Sequence, residues 1–124
     1  MAAQNDLSER LLMFAVRVVK LANAMPRDLA GKHIAFQLLK AGTSAGANYE
    51  EARGAESRAD FVHKLGIVLK ELKESRYWLR LISLAGLMKP ARVATLLSES
   101  EELCAIVGQS VLTAKTRNRA PVGT

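Results

Sequence analysis

The chain has 124 residues, 49% of them apolar but only 5% aromatic, with a formal charge of +6 and a pI near 9.8. That length makes one domain whose core needs no disulfide or metal staple, and a core built on Ala, Leu and Val suits helices better than a β-sandwich. The lone cysteine, Cys104, excludes an internal disulfide, the first residues lack a signal peptide's layout, and Arg17 and Lys20 interrupt the first apolar run too early for a membrane span, so a soluble cytoplasmic protein is expected.

The first helix is expected from about Asp6, where Glu9 three residues on makes a capping-box spacing, to just before Pro26. Leu7, Leu11, Phe14, Ala15, Val18, Leu21, Ala22 and Met25 recur at three- and four-residue steps, the signature of one buried helix face. Arg10, Arg17 and Lys20 lie off that stripe.

Asp28 can cap a second helix, from Leu29 or Gly31 to Arg53. Its stripe is Ile34, Leu38, Ala41, Ala45 and Tyr49. Gly42 and Gly46 sit four apart beside it, where a missing side chain lets another helix come close. Each glycine costs the helix about 1 kcal/mol relative to alanine, so close packing is the expected compensation.

Gly54 can end that helix in a left-handed conformation and Ser57 can cap the next. The third helix is expected from Arg58 to Ala85, with Phe61, Leu65, Val68, Leu72 and Leu79 as its core stripe. Ile67, Trp78 and Ile82 form a second apolar set about a quarter turn away. With Tyr77 they make a candidate oligomer interface, because an ordinary bundle helix buries only one stripe.

Gly86 closes the third helix and Pro90 suits the first turn of the fourth. Val93, Leu97, Ser100, Cys104, Val107, Val111 and Ala114 repeat at threes and fours, widened by Leu96 and Leu103. Residues 1–115 thus read as one all-α, antiparallel up-down-up-down four-helix bundle. From Thr116 the periodicity stops, and 116–124 is expected to be a disordered tail.

Three constellations bear on function. Lys70, Lys73, Arg76 and Arg80 step by three, three and four along one side of the third helix, with Arg53, Arg58 and Lys64 near its start. Such a stripe neutralises phosphates without reading sequence. Its plain alternative is a solvated face laced by pairs such as Glu74 with Lys70. Only Tyr77 lies near it, which leaves little for base stacking.

Asn48, Glu51, Glu71 and Glu74 can form a polar cluster between helices two and three. Without a histidine or nucleophile at a supporting spacing, it reads as a structural network that fixes register. His33 and His63 stand on different helices and no set of three or four ligands is in register, so no metal, cofactor or catalytic residue is assigned. Cys104 reads as a small core residue.

The runs Gly42-Thr-Ser-Ala-Gly-Ala-Asn48-Tyr-Glu-Glu51-Ala, Ser57-Arg-Ala-Asp-Phe61-Val-His-Lys-Leu65 and Leu69-Lys-Glu-Leu-Lys-Glu74-Ser-Arg-Tyr77-Trp78-Leu79 resemble a bacterial family, and the similarity extends over essentially the whole chain. This is the family of "four helix bundle proteins", or 23S ribosomal RNA intervening-sequence proteins. The resemblance implies an antiparallel four-helix bundle, similar to a pentameric accessory protein of diversity-generating retroelements that binds nucleic acid and a reverse transcriptase. Many members carry Asn-Ile-Ala-Glu-Gly where this chain has Asn48-Tyr49-Glu50-Glu51-Ala52, which marks a variant subgroup. The family's biochemical role is largely unassigned.

The expectation is therefore a non-enzymatic homo-oligomer, a pentamer by resemblance, that binds RNA or DNA through basic helix faces. One rival is a protein–protein scaffold whose charges only confer solubility. Another is an enzyme with its site at subunit boundaries. Neither a membrane nor a metal enters any of these readings.

Overall fold

The computed structural model describes residues 3–119. They form four α-helices: α1 (Ala3–Ala24), α2 (Leu29–Arg53), α3 (Arg58–Leu84) and α4 (Pro90–Arg119). Short connections force each helix to turn back on its predecessor, and cross-helix contacts record the result. Ser8 of α1 hydrogen-bonds Glu50 of α2, while Val18 lies against Gly42. Lys64 of α3 meets Glu51 of α2, and Trp78 meets His33. Arg10 of α1 reaches Glu99 of α4, and Arg17 reaches Thr95. In every pair one number rises as the other falls, so the neighbours are antiparallel. The α1–α4 seam is the thinnest of the four.

The expected stripes are the core. Leu11, Phe14, Val18, Leu38, Leu65, Val68, Leu72, Leu79, Val93, Leu103 and Val107 are all fully buried. Two serines join them, and each hydroxyl donates to its own helix: Ser75 to the Glu71 carbonyl at 2.8 Å, Ser100 to the Leu97 carbonyl at 2.7 Å. Back-bonding of this kind satisfies a buried hydroxyl without a partner helix.

Helix ends follow the capping residues with two exceptions. Asp28 accepts from the Gly31 amide at 2.8 Å and Ser57 from the Asp60 amide at 3.0 Å, satisfying donors that the first turn leaves free. Gly86 closes α3 with φ +68°, which suits a residue without Cβ. α1, however, starts at Ala3, so Asp6 lies inside its first turn. There it serves the positive end of the helix dipole rather than the cap position. Gly54 ends α2 at φ −96°, not in the left-handed region; its amide donates to the Ala52 and Glu51 carbonyls, closing the helix by a tightened last turn.

The tail expected from Thr116 begins as helix. α4 continues to Arg119, with the Thr116 hydroxyl donating to the Leu112 carbonyl at 2.9 Å and Lys115 and Arg117 placing positive charge at the negative end of the helix dipole. Residues 120–124 of that tail lie outside the described residues. Among the described residues no helix is long and apolar enough to cross a membrane.

Candidate nucleic-acid interface

The cations singled out on and near α3 divide into two sets. Lys73 and Arg76 stand close enough to Cys104 of α4 for their charges to act on its thiol. Lys70, three residues before Lys73, and Arg80, four after Arg76, continue that line along the α4 side of α3. Lys70, Lys73 and Arg80 are exposed and Arg76 half-buried. None of the four makes an ion pair among the described residues. Arg58 is likewise exposed and unpaired. It shares a depression of about 220 Å³ with Phe61 of its own helix and with Gln109 and Arg117 of α4.

Arg53 and Lys64 behave differently. Arg53 holds Glu50 at 3.3 Å, and Lys64 bridges α3 to Glu51 of α2 at 3.1 Å. The hydrogen bond that Lys64 donates to Glu51 raises the Lys64 pKa above the ordinary lysine value. A phosphate would have to displace a carboxylate at each, so these two are weaker members of the expected set. Sequence spacing carried no sign of this, because Glu51 and Lys64 sit on different helices.

A cation missed in the sequence is Lys115. Leu69 of α3 lies beside Gly108 of α4, so the antiparallel register puts the exposed Lys115 level with Val62, between Arg58 and the main stripe. Only the register of α3 against α4 reveals that position.

The polar cluster does not form as a cluster. Asn48 Nδ2 donates to the Ser44 carbonyl of its own helix at 2.9 Å, and Glu51 turns to Lys64. Glu71 and Glu74 are half-buried, and neither side chain makes a hydrogen bond among the described residues. With α2 and α3 already in register through their apolar stripes, Asn48 and Glu51 take other partners. Elsewhere, Arg10 reaches Glu99 through Nε at 3.0 Å and Nη2 at 2.7 Å, a two-pronged tie across the thin α1–α4 seam.

The expected oligomer face also divides. Ile82 is fully buried in the bundle's own core. It follows Leu79 by three residues, and that step keeps it within the buried arc. Ile67 and Trp78 are half-buried, while Tyr77 is 59% exposed and packs edge-on against Trp78 with ring centroids 5.0 Å apart. A further unpartnered apolar surface lies elsewhere. Leu12, Val19 and Phe36 are exposed on α1 and α2. Between them runs a groove of about 460 Å³ lined by Ser8, Leu11, Leu12, Ala15, Thr43, Gly46, Ala47 and Glu50. Leu12 and Val19, seven residues apart and off the main stripe, were the legible sign of it.

Cys104 is buried. Burial pushes its thiol pKa up, and the nearby Arg76 and Lys73 only partly oppose that, so it stays protonated at neutral pH and is not an activated nucleophile. Among the described residues no three His, Cys, Asp or Glu side chains gather to hold a metal ion.

Comparison with known proteins matches residues 4–109 to the family model of the 23S rRNA-intervening sequence protein. No curated protein matches. Among solved structures, a protein of unknown function from the S23 ribosomal protein family of Bacteroides thetaiotaomicron VPI-5482 is 34% identical. The match covers 85% of this chain and 97% of that one, with a TM-score of 0.79.

Proposed function

The chain belongs to the 23S rRNA-intervening sequence protein family, and from that premise we propose that it is a non-catalytic, homo-oligomeric bundle that binds the phosphate backbone of RNA or DNA along α3. The observation that carries this reading is the alignment of Lys70, Lys73, Arg76 and Arg80 along one side of α3, none of them ion-paired among the described residues. The i,i+4 pair between Glu74 and Lys70 that would lace a solvated face is not made.

Arg58 and Lys115 prolong the line over most of the length of α3, about 40 Å at 1.5 Å per residue. Arg and Lys on a rigid helix neutralise successive phosphates and release counterions, giving affinity without base reading. Copies in a homo-oligomer would set several such lines side by side, so that weak contacts add through effective concentration. The family's name ties it to 23S ribosomal RNA, which makes structured RNA the first probe.

The test is fluorescence anisotropy of labelled structured RNA and single-stranded DNA with nuclease-treated protein, at low and physiological salt. Saturable binding that weakens with salt yet persists at physiological strength is expected. No binding even at low salt would leave the +6 charge as surface chemistry alone.

A further inference from the structure

Phe36 and the α1–α2 groove lie on one face of the bundle but cannot meet within one chain. Phe36 projects from α2 with 61% of its surface exposed. The groove's floor is made of small α2 residues, Thr43, Gly46 and Ala47, beside Leu12 and Ala15 of α1. Ten residues separate Phe36 from Gly46, about 15 Å along a helix, so a chain's own phenyl ring cannot reach its own groove. At about 460 Å³ the space is ample for an aromatic side chain. Chains seldom leave both a bulky apolar projection and an apolar recess uncovered.

We propose that a second copy of this chain docks here, its Phe36 entering the groove between α1 and α2. The charges around the two features are complementary. Lys32 and Lys40 flank Phe36 at i−4 and i+4, and both are exposed. The groove has one carboxylate on its wall, Glu50, which also holds Arg53 at 3.3 Å. Seating the ring therefore carries the flanking ammonium groups toward the Glu50 carboxylate. The α3–α4 seam is a less favourable approach for two +6 chains, since it would set unpaired cations against one another. This docking also keeps Lys70, Lys73, Arg76 and Arg80 on the far side of the bundle, free for the phosphates proposed above. The inference rests on the oligomeric part of that reading and adds which surface assembles and which residue anchors it, an aromatic in a pocket being the usual centre of interface energy.

Light scattering coupled to size-exclusion chromatography reads the assembly, with circular dichroism confirming the fold. Phe36→Ala removes the projection and Ala47→Trp fills the recess, both at exposed positions that leave the core intact. Each is expected to shift the assembled species to monomer over concentrations where wild type stays associated. Glu50→Lys is expected to weaken assembly, and combining it with Lys32→Glu and Lys40→Glu to restore it in part. A monomeric wild-type chain at 100-fold dilution and at stock concentration alike would sink the oligomeric reading and this inference together. An assembled wild type whose mass is unmoved by Phe36→Ala and Ala47→Trp would overturn the inference alone.

Discussion

Gly42 of α2 sits so close to Val18 of α1 that a methyl group built on it would come within 2.8 Å of both Val18 γ-carbons. That approach is what makes a helix-weakening glycine worthwhile here, since the Val18 side chain of α1 fills the space a larger residue would need. Gly42→Ala is therefore expected to destabilise by about 1–3 kcal/mol, the usual cost of overpacking, despite alanine's better helix propensity. In Gly42→Ala/Val18→Ala the two γ-carbon clashes are gone and only the residue-18 Cβ stays tight at 3.1 Å, so urea denaturation should show a loss smaller than the sum of the two single changes. Additive losses would mean that Val18 does not set the limit.

Gly46, one turn on, supplies the contrast. A Cβ there would meet Leu11 at 3.5 Å, ordinary contact distance. Gly46→Ala should be neutral or stabilise by up to about 1 kcal/mol. A loss as large as that of Gly42→Ala, measured in the same denaturation series, would contradict the packing described.

The Arg10–Glu99 tie crosses the least packed seam. Both groups keep solvent contact, with side chains 35% and 20% exposed, so screening limits what the pair contributes. A double-mutant cycle with Arg10→Met and Glu99→Gln should give a coupling of about 0.5–1.5 kcal/mol that shrinks in high salt. A coupling indistinguishable from zero at low salt would make the pairing incidental.

Two buried acids give the fold a pH dependence on the alkaline side. Burial raises the pKa of the Cys104 thiol and of the Tyr49 phenol. The unfolded chain gives up these protons first, so above a thiol pKa of about 8.5 the folded state binds more protons than the unfolded one. The contribution is whole below that pH, and is lost as pH rises through the folded values. The urea midpoint should fall between about pH 8.5 and 11. Cys104→Ala should flatten the first part of that fall; a midpoint constant to pH 11 would deny the burial of both groups.

Much of this architecture was legible in the sequence. Asp28 and Ser57 announced their caps, and the three- and four-residue steps identified nearly every buried side chain, because burial in a bundle follows helical periodicity. Periodicity could not say how far the buried arc of α3 extends, so Ile82 was assigned to an outer face and lies in the core. Nor could it report pairing between helices. Asn48, Glu51, Glu71 and Glu74 have compatible chemistry, but Asn48 and Glu51 bond elsewhere and the other two make no side-chain hydrogen bond among the described residues; Lys64 is held by a carboxylate thirteen residues away. Phe36 looked ordinary in the chain, and only the antiparallel register set it on the same face as an apolar groove. The basic stripe was visible throughout, since its members share one helix.

The most direct test removes that stripe. Lys73→Gln/Arg76→Gln/Arg80→Gln should keep its helical signal and assembled mass, while its affinity for structured RNA falls at low salt. The slope of log affinity against log salt should also flatten by about 2–3, one step of roughly 0.7–0.9 for each phosphate no longer neutralised. Unchanged affinity and slope in a folded triple variant would show that nucleic acid does not bind along α3.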